Sequence, residues 1–162
     1  MTYLITFTAY GCHLHGNESG SVDRSHNLPG SRVLDADPKR ESDERERMHQ
    51  PPYLMDEIRR DVVLASIRER CLHQRWVLLA AHVRSSHVHL VLDAEAHPDR
   101  IMNDLKSFAS RCLNRSGIES PLRKRWTRHG STRWLWNPES VTAAIRYAVD
   151  EQGTPMAVFE AR

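Results

Sequence analysis

Apolar and polar residues follow two different periods along the chain, and the change of period separates predicted strands from predicted helices. Residues 3–10 and 76–83 are rich in β-branched and aromatic side chains, and residues 87–92 follow across a three-residue connection. Such runs predict strands, and the last two predict a β-hairpin. Because side chains alternate along a strand, His87 and His89 are expected on the same face of the sheet.

Three other segments repeat their apolar residues every three or four positions, which predicts helices. The first spans residues 54–72, the second runs from Pro98 to Gly117, and the third runs from Asn137-Pro138 to Gly153. Asparagine and proline suit helix starts, and glycine suits helix ends. Residues 135–136 are predicted to join a short final strand. This order of elements predicts an α+β fold, a ferredoxin-like sandwich with helices packed on an antiparallel sheet.

The length of 162 residues is that of one ordinary domain, so a single domain covering residues 1–162 is expected. Within it, residues 16–52 form a long charged insertion with several glycines and prolines. Such a segment predicts a loop that is either functional or loosely ordered, or else, from its closely spaced charges, a short exposed helix.

Cysteine usage and hydropathy favour a cytoplasmic protein. The three cysteines form no CxxC pair, and the first residues lack the basic start of a signal peptide. No apolar run approaches the ~20 residues that cross a bilayer, so no membrane partner is expected.

Positive charge is concentrated in one segment, although the net charge is only +2. Residues 98–136 hold nine basic and three acidic residues, with Trp126, Trp134 and Trp136 among them. Arginine matches phosphate oxygens and aromatic faces stack on bases, so the segment predicts a nucleic-acid surface. A solvated surface above core tryptophans is the alternative. The candidate contacts are Arg111, Arg115, Arg123, Lys124, Arg125, Arg128 and Arg133.

Two imidazoles on one face of a buried strand need a common polar partner, and a metal ion is the usual one. His-x-His also arises by chance, since the chain has 10 histidines and a second copy at His13-Leu14-His15. A zinc site of Cys12, His13 and His15 would lack a fourth ligand at a familiar spacing.

The third predicted helix carries the other candidate side chains. On a helical wheel, Tyr147 points about 120° from the centre of the apolar face. Glu151 lies one turn later on the same side, whereas Gln152 falls on the apolar side. An ordinary tyrosine at a core margin has the same position. However, two histidines, a carboxylate and a tyrosine beside an arginine-rich surface are what metal-assisted transesterification of a phosphodiester requires.

The chain resembles the single-tyrosine HUH transposases, which include small insertion-sequence transposases and REP-associated tyrosine transposases. His87-Val88-His89 matches their His-hydrophobic-His motif, and residues 102–109, 126–133 and 144–147 are similar to the segments that follow it. The resemblance implies an HUH endonuclease-type fold and a cytoplasmic, nucleoid-associated protein. It implies that His87 and His89 bind a divalent ion, Mg or Mn.

The resemblance also implies a reaction. Tyr147 would attack single-stranded DNA, near a hairpin, to give a 5′-phosphotyrosine and a free 3′-hydroxyl that a later step rejoins. The third ligand of the family is commonly a glutamine one turn after the tyrosine. That position holds Glu151 here, so Glu151 is the expected third ligand and Gln152 is the alternative. A homodimer in which the tyrosine helix serves the partner's site and a monomer are both compatible with the family.

Two other functions compete with this interpretation. The first is a non-cleaving protein of the same fold that holds a DNA or RNA hairpin. The second is a non-haem iron enzyme built on His87, His89 and Glu151, which is disfavoured because such sites are usual in β-rich barrels.

Overall fold

The computed structural model describes residues 1–12, 38–39 and 48–162, so most of the predicted insertion lies outside the described residues. In chain order, the elements are β1 (Thr2–Thr8), α1 (Glu57–Gln74), β2 (Val77–Val83), β3 (His87–Asp93), α2 (Pro98–Ser116), β4 (Ser131–Leu135), α3 (Pro138–Val149) and β5 (Ala157–Glu160). These strands form one antiparallel sheet in the order β4-β1-β3-β2-β5. The predicted α+β sandwich is confirmed.

The two faces of the sheet carry cores of different size. Helices α1 and α2 cover one face, where Ile5, Phe7 and Leu90 are fully buried. Helix α3 covers the other face with a smaller apolar cluster, to which it contributes Ala144 and Ala148 as buried side chains. Val141, Ile145 and Val149 of α3 are partly buried against the same cluster. None of the helices in the described ranges is long and apolar enough to cross a membrane.

Capping side chains set the helix starts close to the predicted positions. Asp56 accepts a hydrogen bond from the backbone N–H of Arg59 at the start of α1, which begins at Glu57 rather than at residue 54. Asn137 caps α3 in the same way, and Pro138 follows it as predicted. Gly117 ends α2 with a φ of 69°, a left-handed conformation that glycine adopts without strain.

The C-terminal part of the chain differs from the prediction. Helix α3 ends at Val149 instead of Gly153, because Asp150 donates the last helical hydrogen bond to the carbonyl of Arg146. Strand β4 occupies residues 131–135, earlier than the predicted 135–136. Strand β5 was not predicted, since its four residues have no alternating pattern and become a strand by pairing with β2.

A largely buried carboxylate joins the segment before α1 to the segment after α2. Glu119 accepts a hydrogen bond from the Tyr53 hydroxyl at 2.6 Å and pairs with Arg125 at 3.1 Å and with Arg59 at 3.5 Å. Burial and the Glu119 carboxylate raise the pKa of Tyr53 well above its usual range. The side chain of Arg125 is only 2% exposed, so its charge depends on this carboxylate.

We expect Glu119→Gln to lower the free energy of unfolding by about 3 kcal/mol, because the buried guanidinium of Arg125 loses its counter-charge. Urea denaturation followed by circular dichroism measures the change. Glu95→Gln, the same substitution at an exposed loop position, is the control and should change stability by less than about 0.5 kcal/mol. Equal stability of the two variants would contradict the role of Glu119.

Candidate functional site

His87 and His89 lie at the beginning of β3 and face α3, on the same face of the sheet as the alternation predicts. Their ring centroids are 4.7 Å apart. Hydroxyl groups engage Nδ1 of both rings, with Thr6 Oγ1 2.7 Å from His89 and Ser86 Oγ 2.9 Å from His87. A hydrogen bond at one ring nitrogen orients a histidine to bind a metal through the other, so Nε2 of each ring is the candidate ligand atom.

The environment of His89 keeps its imidazole neutral. Burial, reinforced by the neighbouring His87, lowers the pKa of His89 to about 3, against a hydrogen bond with Gln152 that raises it. A neutral imidazole has a lone pair for a metal ion throughout the physiological pH range.

Tyr147 lies in the last turn of α3 and packs against the histidine pair. Its ring centroid is 5.3 Å from that of His89, with the two planes inclined by 70°. The residue is 40% exposed, so a substrate can reach it from solvent. The rings of His87, His89 and Tyr147 therefore form one continuous group at one end of the sheet.

The carboxylate of Glu151 is not part of this group. It accepts a hydrogen bond from Arg146 Nε at 3.2 Å in an exposed ion pair. Among the described residues, no three His, Cys, Asp or Glu side chains come together to hold a metal ion. The expected set of His87, His89 and Glu151 is therefore not assembled in the structure.

Gln152 occupies the place that the helical wheel gave to Glu151. Its Nε2 donates a hydrogen bond to the carbonyl of Tyr147 at 2.9 Å, and its side chain lies near enough to His89 to raise the pKa of that imidazole. The helical wheel does not apply to these two residues, for a physical reason. Because α3 ends at Val149, residues 151 and 152 no longer follow the helical rotation of 100° per residue.

Several residues near the site are not among the predicted site residues. Thr6 is paired with His89 in the register of β1 and β3, so strand alternation could have identified it. His82 is opposite His89 in the neighbouring strand β2 and is fully buried. Its Nδ1 lies 2.9 Å from the carbonyl of Ala148, and burial lowers its pKa. Ser86, in the connection between the strands, gave no signal in the sequence.

The predicted DNA contacts differ in exposure. Exposed residues are Arg111, Arg115, Lys124, Arg128 and Arg133. Arg123 is half-buried and donates hydrogen bonds to Gln50 and to the carbonyl of Pro51. Arg125 is 4% exposed and is bound to Glu119 and Asn114, so it has no group available for a phosphate. The structure therefore removes Arg125 from the candidate DNA contacts.

Two of the three tryptophans in the basic segment belong to the core. Trp126 packs edge-on against Phe7, and its indole N–H donates to the carbonyl of Lys106. Trp134 packs edge-on against Tyr3. Trp136 is 76% exposed and is the tryptophan of this segment that could stack on a base.

A buried lysine fixes the turn that precedes β4. Lys106 Nζ donates hydrogen bonds to the carbonyls of Thr127, at 3.0 Å, and of His129. Thr127 in turn donates its backbone N–H to the carbonyl of Thr8 at 2.9 Å. Because Thr8 is paired with His87, this turn and its exposed Arg128 lie at the histidine end of the sheet.

Comparison with known families agrees with this geometry. Residues 49–138 match the IS200-like transposases, a range that includes both histidines and ends before Tyr147. The chain belongs to this family. The membership confirms the resemblance to single-tyrosine HUH transposases. No curated protein matches the sequence.

Two solved structures share the fold of this family member. The first is a REP-associated tyrosine transposase bound to a REP hairpin, with a TM-score of 0.50 and 9% identity over 93% of this chain; the present chain spans 65% of that protein. The second is a candidate transposase from Deinococcus radiodurans R1, with a TM-score of 0.50 and 15% identity over 94% of this chain and 90% of the other. At these identities the likeness shows the fold alone.

Burial lowers the pKa of Lys106 to about 8 from 10.5, and this shift predicts a pH dependence of stability. Between these values the unfolded chain keeps the lysine proton while the folded protein loses it, so stability rises with pH by up to about 1.4 kcal/mol per unit. We expect wild type to gain about 1.5 kcal/mol relative to Lys106→Met between pH 8 and 9.5. Urea unfolding measures both. Parallel profiles would contradict the shift, and Lys124→Met at an exposed lysine is the control.

Proposed function

We propose that the chain cleaves and rejoins single-stranded DNA through Tyr147, with a divalent metal ion held by His87, His89 and Gln152. The observation that carries the proposal is the packing of the Tyr147 ring against His89, and the side chain of Gln152 lies near enough to the same imidazole to raise its pKa. Membership of the IS200-like transposases supports a reaction on DNA.

The donor set fits a divalent cation that must also bind a phosphate. Two imidazole Nε2 atoms and an amide oxygen are neutral ligands, so they leave the charge of the ion for the DNA. Thr6 and Ser86 would orient the two rings from behind through Nδ1. When bound, a divalent ion such as Mg or Mn supplies Lewis-acid polarisation of the scissile phosphate.

The residues of this chain account for the covalent step. The Tyr147 oxygen attacks phosphorus and loses its proton to solvent, and the bond from phosphorus to the 3′-oxygen breaks. The departing oxygen takes up a proton and becomes a free 3′-hydroxyl, while the 5′-phosphate remains on the tyrosine. One phosphodiester replaces another, so the reverse attack by a 3′-hydroxyl needs no energy source.

Exposed cationic side chains suggest the path of the strand. Arg133 is paired with Leu4, whose side chain lies on the α3 face, so Arg133 lies on the face that carries the histidines. Arg128 is in the turn beside Thr8 at the histidine end. We infer that the DNA backbone follows the β4 edge past these two arginines, which position phosphates without reading sequence.

The nucleophile is tested with a 3′-labelled single-stranded oligonucleotide that folds into a hairpin, in the presence of manganese. Wild type should form a covalent adduct that survives denaturation, because the labelled fragment carries the 5′-phosphotyrosine. Tyr147→Phe should form none, since it lacks the attacking oxygen. Tyr3→Phe, at a buried tyrosine in the core, is the control and should retain the adduct.

Two results would change the assignment. Metal-dependent cutting that persists in Tyr147→Phe would exclude Tyr147 as the nucleophile. Tight binding of hairpins without cutting by wild type, across many sequences, would favour the non-cleaving hairpin-binding protein instead.

The third ligand is tested by titrating the protein with manganese in a calorimeter. Gln152→Ala should weaken the affinity roughly 10- to 100-fold, because the amide oxygen is lost from the site. Glu151→Ala should change it less than about twofold, since Glu151 is paired with Arg146 in solvent. The opposite order of the two variants would restore Glu151 as the ligand.

A further inference from the structure

We propose that His82 is a positioning residue that fixes the C-terminal end of α3, and with it the places of Tyr147 and Gln152 relative to the histidine pair. The inference rests on the proposed function, which makes Tyr147 the nucleophile and Gln152 a ligand. His82 is not itself a catalytic residue, because its two ring nitrogens are occupied by backbone groups.

The backbone partners of His82 determine its tautomer. The carbonyl of Ala148 can only accept, so Nδ1 carries the hydrogen and donates it across 2.9 Å. The backbone N–H of Met156 can only donate, so Nε2 accepts across 3.0 Å. Arg84 Nη1, another donor, lies 3.4 Å from the same Nε2. The imidazole therefore joins α3 on one side to the segment leading into β5 on the other.

The apolar contacts of helix α3 are supplemented by polar ones at its end. Its buried side chains are Ala144 and Ala148, which present small apolar areas to the sheet, and Val141, Ile145 and Val149 are partly buried beside them. The last carbonyls of a helix have no partner within the helix. Here the carbonyl of Ala148 is bound by His82 and that of Tyr147 by Gln152. The hydrogen bond from His82 thus holds the residue directly after the nucleophile.

The sheet transmits this position to the site. His82 is directly opposite His89 in the paired strands β2 and β3. Because these central strands are rigidly hydrogen-bonded, a fixed distance from His82 to the end of α3 also fixes the distance from His89 to Tyr147. A misplacement of about 1 Å in a reacting group can lower a rate 10²-fold. The loss of one hydrogen bond at Ala148 is therefore expected to affect the chemical step.

Two amide substitutions separate the two bonds of His82. In asparagine the amide nitrogen is attached to Cγ, as Nδ1 is in histidine, so His82→Asn keeps a donor for Ala148. In glutamine the amide is one bond further out, near the place of Nε2, so His82→Gln keeps a partner for Met156 and leaves α3 unbound. Both variants lose the packing of the imidazole ring, but only His82→Gln loses the hydrogen bond to α3. A difference between the two variants therefore reports the effect of that hydrogen bond.

The readout is the single-turnover rate of adduct formation on the 3′-labelled hairpin with manganese. We expect a decrease of roughly 10²-fold in His82→Gln and of less than about tenfold in His82→Asn, with the Kd for the DNA unchanged in both. The unfolding free energy of each variant is measured in parallel. Equal losses of rate in the two variants, in proportion to their losses of stability, would overturn the proposal.

Amide hydrogen exchange in α3 gives the same comparison without any reaction. Exchange over residues 141–150 should be at least about tenfold faster in His82→Gln than in wild type, and close to wild type in His82→Asn. Thr142→Val, which removes an exposed hydroxyl bound to the Pro138 carbonyl within α3, is the control. Unchanged exchange in His82→Gln would overturn the proposal. A wild type that forms no adduct would refute the proposed function, and exchange alone would then decide the role of His82.

Discussion

The site depends on the pairing of β1 with β3 in one register. This register sets Thr6 opposite His89 and Ile5 opposite Leu90, so a hydroxyl reaches the imidazole while the apolar neighbours enter the core beneath α1 and α2. A slip of β3 by one residue would turn the histidines into that core and expose Leu90 to α3. Burial of the apolar side chains of β3 therefore fixes the orientation of His87 and His89, although the fold does not require these two histidines.

One face of the sheet carries the larger apolar core, and the other face carries the candidate site. The face under α1 and α2 holds the large core, whereas α3 contributes two buried alanines and three partly buried aliphatic side chains on the opposite face. Polar contacts supplement the apolar ones there, since His82 binds the end of α3 and Gln152 binds the carbonyl of Tyr147. Elements with little buried area are the ones that open most easily, and the helix that carries the proposed nucleophile Tyr147 is such an element.

Local sequence patterns predicted most of the helices and strands. The features that these patterns missed are determined by contacts between residues far apart in sequence. Alternation placed His87 and His89 on one face, and capping residues marked the start of α3, because these signals act over a few residues. Strand β5 exists through its pairing with β2, which no window of sequence contains. Arg125 looked like a DNA contact because the carboxylate that binds it, Glu119, cannot be identified as its partner without the fold.

The choice between Glu151 and Gln152 as third ligand also depended on contacts that the sequence does not reveal. The difference matters chemically because only one of the two side chains is charged. Glu151 was favoured by a helical rotation that stops at Val149, and it forms an ion pair with Arg146 in solvent instead. Glutamine beside His89 leaves the site neutral, whereas a carboxylate there would raise the pKa of the imidazole and attract a proton to the nitrogen proposed to bind a metal. It would also repel the DNA phosphate. The end of α3, set by contacts far away in sequence, thus brings the uncharged side chain to the histidines and keeps the charged one away.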